Sequence, residues 1–232
     1  MQDLDRRSFV RLSAASLLCA GALAACGGTQ QAEPAKQDQS SSSGDATKKP
    51  GYITSSGTLI TPYDEGYDTG LHHATIVVKD LGTIKVELDA DTAPISVSNF
   101  AHLVNEGFYN GLTFHRIMDG FMIQGGDPTG SGKGGNTVRI MGEFSENGIA
   151  NDISHERGVI SMARSSNNNS ASSQFFIMHA DKPSIDGKYA AFGHVTEGIE
   201  VVDEIAKIPV EDDNGTVDPA NQPVIESITM DD

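Results

Sequence analysis

The sequence predicts a mainly β domain in which an antiparallel sheet closes into a barrel, with helices covering its ends. Beyond His72 the chain contains many short β-rich runs separated by turn residues, and only two segments with helical spacing. Closing such a sheet removes edges that would otherwise be exposed. The body from Gly27 to Asp232 contains no cysteine, so it can hold no disulfide framework, cysteine nucleophile or thiolate metal site.

The first predicted elements are a hairpin and a helix. Residues 74–79 and 83–88 are β-rich, and the second run alternates apolar with charged side chains, as a half-buried strand does. The helix opens at residues 91–94 with a capping residue and an early proline, and Gly107 ends it. Its apolar face has helical spacing and consists of Val97, Phe100, Ala101 and Val104.

Short strands and one further helix make up the rest of the predicted domain. The second helix is expected over residues 197–205. The remaining strands are expected over residues 112–117, 121–124, 158–163, 174–178, 190–195 and 224–230. We therefore expect the folded domain to span residues 72–232.

The chain ahead of the domain has the features of an export signal. In residues 1–25, the pair Arg6-Arg7 precedes a short apolar run, which is typical of the twin-arginine route. A general basic segment for the secretory route remains the alternative. The run ends at Ala24-Ala25-Cys26, which resembles a bacterial lipoprotein cleavage box and would make Cys26 the lipidated residue. A coincidental cysteine in an ordinary signal peptide is the other possibility.

Residues 26–71 are polar and irregular and predict a flexible tether, because low hydrophobicity cannot offset the entropy of ordering. This stretch also contains six large apolar or aromatic residues, which either dock on the domain or remain solvated: Tyr52, Ile53, Leu59, Ile60, Tyr63 and Tyr67. With the lipid on Cys26 as the membrane contact, the expected location is the outer face of the bacterial cytoplasmic membrane or the periplasm.

Composition excludes several classes of function. The formal net charge is -16, with 32 acidic against 16 basic residues, and so negative a surface repels nucleic acid. No apolar stretch of about 18 residues follows the first 30 positions, so no internal transmembrane helix is expected. The seven histidines do not fall at zinc-ligand spacing, and we expect no metal. The glycine-rich residues 130–135 lack the serine or threonine that follows the lysine of a phosphate loop.

Four motifs carry the functional prediction. Residues 114–127 read FHRIMDGFMIQGGD, and residues 158–165, 172–177 and 185–193 read GVISMARS, SSQFFI and IDGKYAAFG. In this order the four blocks resemble the signature of the cyclophilins, and the resemblance covers about residues 73–230. It implies an eight-stranded barrel, two capping helices, and peptidyl-prolyl cis/trans isomerase activity without a cofactor.

Isomerisation of a prolyl bond needs no nucleophile and no proton transfer. Amide resonance opposes rotation with a barrier of about 18–20 kcal/mol. A catalyst therefore needs a dry pocket for the proline ring and a donor aimed at the prolyl nitrogen. The resemblance assigns Arg116 as the donor, while Gln124 and Gln174 would orient it and bind the substrate carbonyl. By the same likeness, the proline pocket and the contacts with the preceding residue are formed by Phe121, Met122, Phe176 and Ile185, together with Ala163, the backbone of Arg164, and Tyr189.

The chain departs from the familiar eukaryotic pattern at three of these positions. Arg164 stands where asparagine is common, and Tyr189 stands where histidine is common. Both changes suit peptide binding, because the backbone or a ring makes the contact. Ser184 stands where tryptophan is common, which predicts weak binding of cyclosporin-like drugs. On a regular strand neighbouring side chains point to opposite faces, so His115 is expected to face away from the groove that holds Arg116.

Two functions remain open on this basis. The first is an active isomerase that helps exported proteins fold, with proline-containing polypeptides as clients and a monomer as the expected state. The second is a cyclophilin-like module that binds proline-containing peptides without significant turnover. The first is favoured by intact Arg116, Phe121, Gln124 and Phe176. A solute receptor for a transporter would share the anchor and tether, but such receptors usually need a longer chain.

Overall fold

Residues 50–136 and 138–232 are described by a computed structural model of the chain. The signal peptide over residues 1–25, the lipidation site at Cys26 and the first part of the tether lie outside these residues and stay predictions. Within the described part of the chain, no helix is both long and apolar enough to cross a membrane.

The predicted hairpin, helices and strands are all present, with ends that differ by a few residues. The strands are β1 (Thr58–Leu59), β2 (Leu71–Val78), β3 (Gly82–Asp89), β4 (Phe114–Met118), β5 (Met122–Gly125), β6 (Arg139–Ile140), β7 (Val159–Met162), β8 (Phe175–Met178), β9 (Ala191–Glu197) and β10 (Ile225–Met230). The α-helices are α1 (Pro94–Asn105) and α2 (Ile199–Ala206), and single 3₁₀ turns form at Ser145–Asn147 and Pro183–Ile185.

Eight strands form one antiparallel sheet that curls around the core in the order β10-β2-β3-β9-β7-β8-β5-β4. The prediction of a closed barrel is wrong, because the edge strands β4 and β10 do not form a ladder. Their chains meet at a single bridge between Thr113 and Val224, just before either strand begins.

The open edge has a local cause. Past the bridge, the free edge of β4 pairs with residues 215–217, since the Ile117 N–H donates to the carbonyl of Gly215. The Val217 N–H donates in the same way to the carbonyl of His115. Next to the bridge, Pro223 has no N–H with which to extend a ladder. The sheet is therefore a curled half-barrel whose last strand is covered by a loop.

The main core combines side chains of the eight-stranded sheet with side chains of α1 and α2. The alternation predicted for β3 is confirmed, because Ile84, Val86 and Leu88 are all fully buried. The predicted apolar face of α1 is buried as well. Phe100 of this helix meets Phe175 of β8 edge to face, with ring centroids 5.6 Å apart. This packing fixes β4, β5 and β8, whose opposite faces build the site described below.

The segment ahead of β2 also packs on the domain. Strand β1 pairs in parallel with β6, and Leu59 is fully buried in the main core. Tyr63 stacks on His102 of α1 with ring centroids 4.3 Å apart, and Tyr67 packs against the same core. Tyr52 is exposed over 41% of its surface. Leu59, Tyr63 and Tyr67 therefore dock on the domain. Residues that pack on the domain begin ahead of residue 72, where the sequence predicts the domain to start.

Candidate active site

An open cavity of about 740 Å³ lies on the outer face of β4, β5 and β8. Alternation along these strands creates it, because Ile117, Ile123 and Ile177 point into the main core. The residues beside them, including Arg116 and Phe176, point the other way and line the cavity. A cavity of this size suits a short peptide segment.

Nearly all the residues assigned by resemblance line this one cavity. They are Arg116, Phe121, Met122, Gln124, Ala163, Arg164, Phe176, Ile185 and Tyr189. Gln174 is the exception, since it lines a neighbouring cavity of about 420 Å³ together with Lys133 and Arg164. The fold therefore gathers residues that lie up to 73 positions apart in the sequence.

The apolar wall of the cavity is a hydrophobic cluster separate from the main core. Met122 and Phe176 are buried in it, and Phe121 and Ile185 pack against them. The ring of Tyr189 meets Phe176 edge to face, with centroids 5.7 Å apart. These side chains present a surface to which water cannot hydrogen-bond, and such a wall suits a proline ring.

Arg116 is held from several sides beside this wall. Its Nε donates to the carbonyl of Asn214 at 2.7 Å, and its Nη2 donates to Oδ1 of the same residue at 3.2 Å. Its Nη1 donates to Oε1 of Gln124 at 3.2 Å. Burial lowers the pKa of Arg116, but the ordinary value is so high that the guanidinium keeps its charge at neutral pH. A fixed cation therefore faces the cavity.

A chain of amide hydrogen bonds supports this arginine. Nε2 of Gln124 donates to Oε1 of Gln174 at 2.8 Å, and Nε2 of Gln174 donates to the carbonyl of Gly134 at 2.6 Å. The orienting role assigned to the two glutamines stays a prediction, and these hydrogen bonds connect both residues to Arg116. Gln174 is linked to Arg116 through Gln124 in this chain of hydrogen bonds, and it lines the neighbouring cavity.

Arg164 is committed to local structure. Its guanidinium carbon lies 4.9 Å from the ring centroids of both Phe144 and Tyr189, which are favourable cation–π contacts. Its Nε donates to the carbonyl of Lys188 at 2.7 Å. The side chain thus braces the rim, and the expectation that its backbone contacts the substrate stays a prediction. Ser184 is not among the residues that line the cavity.

His115 does not lie where the sequence predicts. The register between β4 and β5 shifts between Phe114 and Arg116, so His115 is the extra residue of a β-bulge and the regular alternation is interrupted. His115 is only 4% exposed and lines the same cavity as Arg116. Burial lowers the pKa of His115, and the Arg116 charge acts in the same direction. The site therefore contains a neutral imidazole that sequence reasoning missed.

Asn214 is a second residue that sequence reasoning missed. Its loop is fixed by Asp212, whose carboxylate accepts hydrogen bonds from Asn214 and Thr216, and these bonds hold the pKa of Asp212 below its usual value. Gly215 has φ +84°, and a side chain there would collide with the carbonyl of Ile117. The Asn-Gly pair is a recognisable turn signal, but nothing in the sequence connects it with an arginine 98 positions earlier.

Known proteins are similar to this chain in sequence and in fold. The family model described as "Cyclophilin type peptidyl-prolyl cis-trans isomerase/CLD" matches residues 73–230. Human peptidyl-prolyl cis-trans isomerase-like 3 is 42% identical over 152 residues, which cover 65% of this chain and 91% of the human protein. Peptidyl-prolyl cis-trans isomerase A of Dickeya dadantii is 40% identical over 157 residues, covering 66% of this chain and 80% of that protein.

A solved structure agrees with these sequence matches. The cyclophilin type peptidyl-prolyl cis-trans isomerase of Cryptosporidium parvum, crystallised in the presence of the dipeptide Ala-Pro, superposes with a TM-score of 0.61 and 31% identity. The superposition covers 69% of this chain and 99% of that one. The family match spans the eight-stranded sheet from His73 onward, both helices and the cavity around Arg116. The chain belongs to the cyclophilin-type peptidyl-prolyl cis-trans isomerase family.

Proposed function

We propose that this chain isomerises Xaa-Pro peptide bonds in exported polypeptides while it is tethered by a lipid on Cys26 to the outer face of the bacterial cytoplasmic membrane. The observation that carries the catalytic part is the fixed guanidinium of Arg116 beside the apolar wall around Phe176. This arrangement supplies the donor and the dry pocket that rotation about a prolyl bond requires.

The proposed mechanism depends on an interaction that forms only in the transition state. As the Xaa-Pro bond twists, resonance is lost and the prolyl nitrogen gains a lone pair that can accept a hydrogen bond. Arg116 donates to that lone pair and so stabilises the twisted form more than either planar isomer. A hydrogen bond to a charged group contributes about 1.5–3 kcal/mol, which corresponds to about ten- to a hundredfold in rate.

The remaining cavity residues position the substrate in this proposal. The ring of the proline packs on Phe121, Met122 and Phe176, which define an apolar pocket. The use of Ala-Pro with the related protein supports a proline-containing substrate. Gln124 and Gln174 hold Arg116 in place before the substrate arrives, so little reorganisation is needed during the reaction.

The N-terminal residues support the proposed location. The motif Ala24-Ala25-Cys26 and the preceding apolar run support export and lipidation. The chain between Cys26 and Gly51 would span at most about 90 Å when fully extended. Such a tether lets the cavity reach polypeptides emerging near the membrane, which makes unfolded exported proteins the expected clients.

An exchange measurement tests the catalytic part. NMR exchange spectroscopy on an Ala-Pro peptide should show faster cis–trans interconversion with the purified chain. Arg116→Ala should lose about ten- to a hundredfold of this acceleration or more, and Arg116→Lys should recover little because an ammonium lacks the planar fork. Arg157→Ala is the matched control, because that arginine pairs with Asp203 outside the cavity. Peptide binding without acceleration by the wild-type chain would instead indicate a binding module.

A further inference from the structure

We infer that Asp127 is a positioning residue that holds Arg116 through a continuous chain of hydrogen bonds. The inference rests on the proposed function, in which Arg116 donates to the twisted prolyl bond. Asp127 is only 1% exposed, and in the described structure it lines neither the main cavity nor the neighbouring one. Any influence of this carboxylate on the reaction therefore passes through other residues.

The carboxylate of Asp127 fixes the loop that contains the glycine-rich residues 130–135. Its Oδ1 accepts from the N–H and the hydroxyl of Thr129, at 2.7 and 2.9 Å, and its Oδ2 accepts from the N–H of Gly134 at 3.1 Å. Burial acts to raise the pKa of Asp127, but these hydrogen bonds outweigh it and leave the pKa below its ordinary value. An anion therefore holds the loop near both of its ends at neutral pH.

Gly134 connects this loop to the amide groups beside Arg116. The carbonyl of Gly134 accepts from Nε2 of Gln174 at 2.6 Å. Oε1 of Gln174 accepts from Nε2 of Gln124 at 2.8 Å, and Oε1 of Gln124 accepts from Nη1 of Arg116 at 3.2 Å. The chain thus begins at a cation and ends at a carboxylate, and donation runs in the same direction at every step. Hydrogen bonds arranged in this way polarise and strengthen one another.

The two charged ends also determine which way each side-chain amide faces. A glutamine amide can present either its oxygen or its NH₂ group to a neighbour, whereas a guanidinium can only donate. Gln124 must therefore turn its oxygen towards Arg116, which leaves its NH₂ group for Gln174. Gln174 then needs an acceptor for its own NH₂ group, and the carbonyl of Gly134 supplies it. By fixing Gly134, Asp127 keeps this last acceptor in place.

Gly134 can approach the carboxylate only because it has no side chain. A methyl group at this position would collide with Oδ1 of Asp127 and with the side chain of Thr129. Any larger residue would therefore push the backbone of residue 134 away from the carboxylate. This close contact gives the glycine-rich loop a structural role that does not involve phosphate.

Exchange measurements at several concentrations of the Ala-Pro peptide, which separate kcat from KM, test the inference. Asp127→Asn keeps the shape of the side chain but removes its charge and replaces an acceptor with a donor. Gln174→Met cuts the chain of hydrogen bonds in the middle. We expect each change to lower kcat by about threefold or more. Because both act through one chain, the double variant should lose no more than the more affected single variant.

Gly134→Ala and Asp89→Asn complete the comparison. Gly134→Ala should lower kcat in the same way while the charge of Asp127 is kept, so it replaces Asp127→Asn if that variant does not fold. Asp89 accepts the same pair of hydrogen bonds from the N–H and hydroxyl of Thr92, at 2.9 and 2.7 Å, but it lies at the end of β3, away from the chain that leads to Arg116. Asp89→Asn should therefore leave kcat unchanged.

The guanidinium of Arg116 can also be observed without catalysis. Its Nε–H signal in ¹H–¹⁵N spectra should move in Asp127→Asn and Gln174→Met and stay in place in Asp89→Asn. The inference is overturned if folded Asp127→Asn and Gly134→Ala both keep the wild-type kcat, if the losses of Asp127→Asn and Gln174→Met multiply in the double variant, or if the signal does not move. A wild-type chain that shows these signal changes but does not accelerate isomerisation would contradict the proposed function and still support the link between Asp127 and Arg116.

Discussion

At the scale of single residues, the bulge in β4 gives His115 a position that differs from the predicted one. It places His115 and Arg116 in one cavity, although they are neighbours on a strand. Such proximity invites an acid–base interpretation. Rotation about a peptide bond moves no proton, however, and the buried imidazole has a lowered pKa. Arg116 therefore remains the group expected to act on the substrate.

The pH dependence of activity tests this division of roles. We expect kcat/KM to vary by less than about twofold between pH 6 and 8, because rotation about the peptide bond moves no proton and the reaction needs no acid or base. His115→Gln should lower the free energy of unfolding and have little effect on the turnover rate. A bell-shaped profile that disappears in His115→Gln would assign proton transfer to the histidine after all.

His115 should also make stability depend on pH in acid. Its pKa in the fold lies below the ordinary value of 6.5, so its contribution is present above that value and is lost as pH falls. As pH falls below about 6.5, the free energy of unfolding measured in urea should decrease in the wild type relative to that of His115→Gln. An identical loss in both proteins would place the acid sensitivity elsewhere.

Ser184 carries the prediction on drug binding. It occupies the 3₁₀ turn beside Ile185, which does line the cavity, and its carbonyl accepts from Nζ of Lys188 at 2.9 Å. An indole at position 184 would add apolar surface and an N–H donor at the rim. Cyclosporin should inhibit the wild type weakly and Ser184→Trp at least about tenfold more tightly. Ser184→Ala is the matched control, and equal inhibition of all three proteins would contradict the assignment.

At the scale of elements, α1 is tied to the loop after β6 by one buried carboxylate. Glu143 accepts hydrogen bonds from the N–H groups of Ile95 and Ser96 at 2.8 and 2.7 Å, and from the Ser96 hydroxyl at 2.6 Å. These donors stand at the helix N-terminus, where an anion is favourable. Burial nevertheless outweighs them and raises the pKa of Glu143 to about 7. The Glu143 carboxyl group therefore changes its charge near neutral pH.

Glu143 and His115 should have opposite effects on stability, because a rise in pH should lower the contribution of Glu143 and raise that of His115. A pKa raised in the fold gives stability that is complete below the ordinary value of 4.5 and is lost as pH rises through about 7. The loss amounts to about 3 kcal/mol at most. Glu143→Gln should flatten the free energy of unfolding between pH 4.5 and 7 in urea titrations. A slope equal to that of the wild type would show that Glu143 stays ionised throughout.

At the scale of the whole molecule, patterns within short windows predict the elements well. Alternation in β3 and helical spacing in α1 both depend on neighbouring residues, and both are confirmed. Barrel closure fails as a prediction because residues 215–217 compete for the edge of β4. The bulge at His115 and the contact of Asn214 with Arg116 likewise depend on partners distant in the sequence. Motif resemblance could place the cavity residues only because it carries such distant information.

The two cysteines give a whole-molecule test of anchoring. Cys26→Ser should leave a protein without lipid, uncleaved or released from the membrane, with normal isomerase activity. Cys19→Ser should still incorporate labelled fatty acid, because Cys19 precedes the predicted cleavage position. Metabolic labelling followed by membrane fractionation distinguishes the two variants. Lipid on Cys26→Ser would rule out Cys26 as the attachment point.

The docking of Leu59 also has a mechanical consequence. Because β1 pairs with β6 and Leu59 is inserted in the core, tension along the N-terminal chain reaches the body at this two-residue parallel pair. Before the load reaches β2, it must release Leu59 and then the contacts of Tyr63 and Tyr67 with the domain. The cavity around Arg116 is built on β4, β5 and β8, so a pull that strips β1 away leaves those strands in place. We therefore expect a pull on the N-terminal chain to detach the β1–β6 pair before it disturbs the strands that carry the cavity.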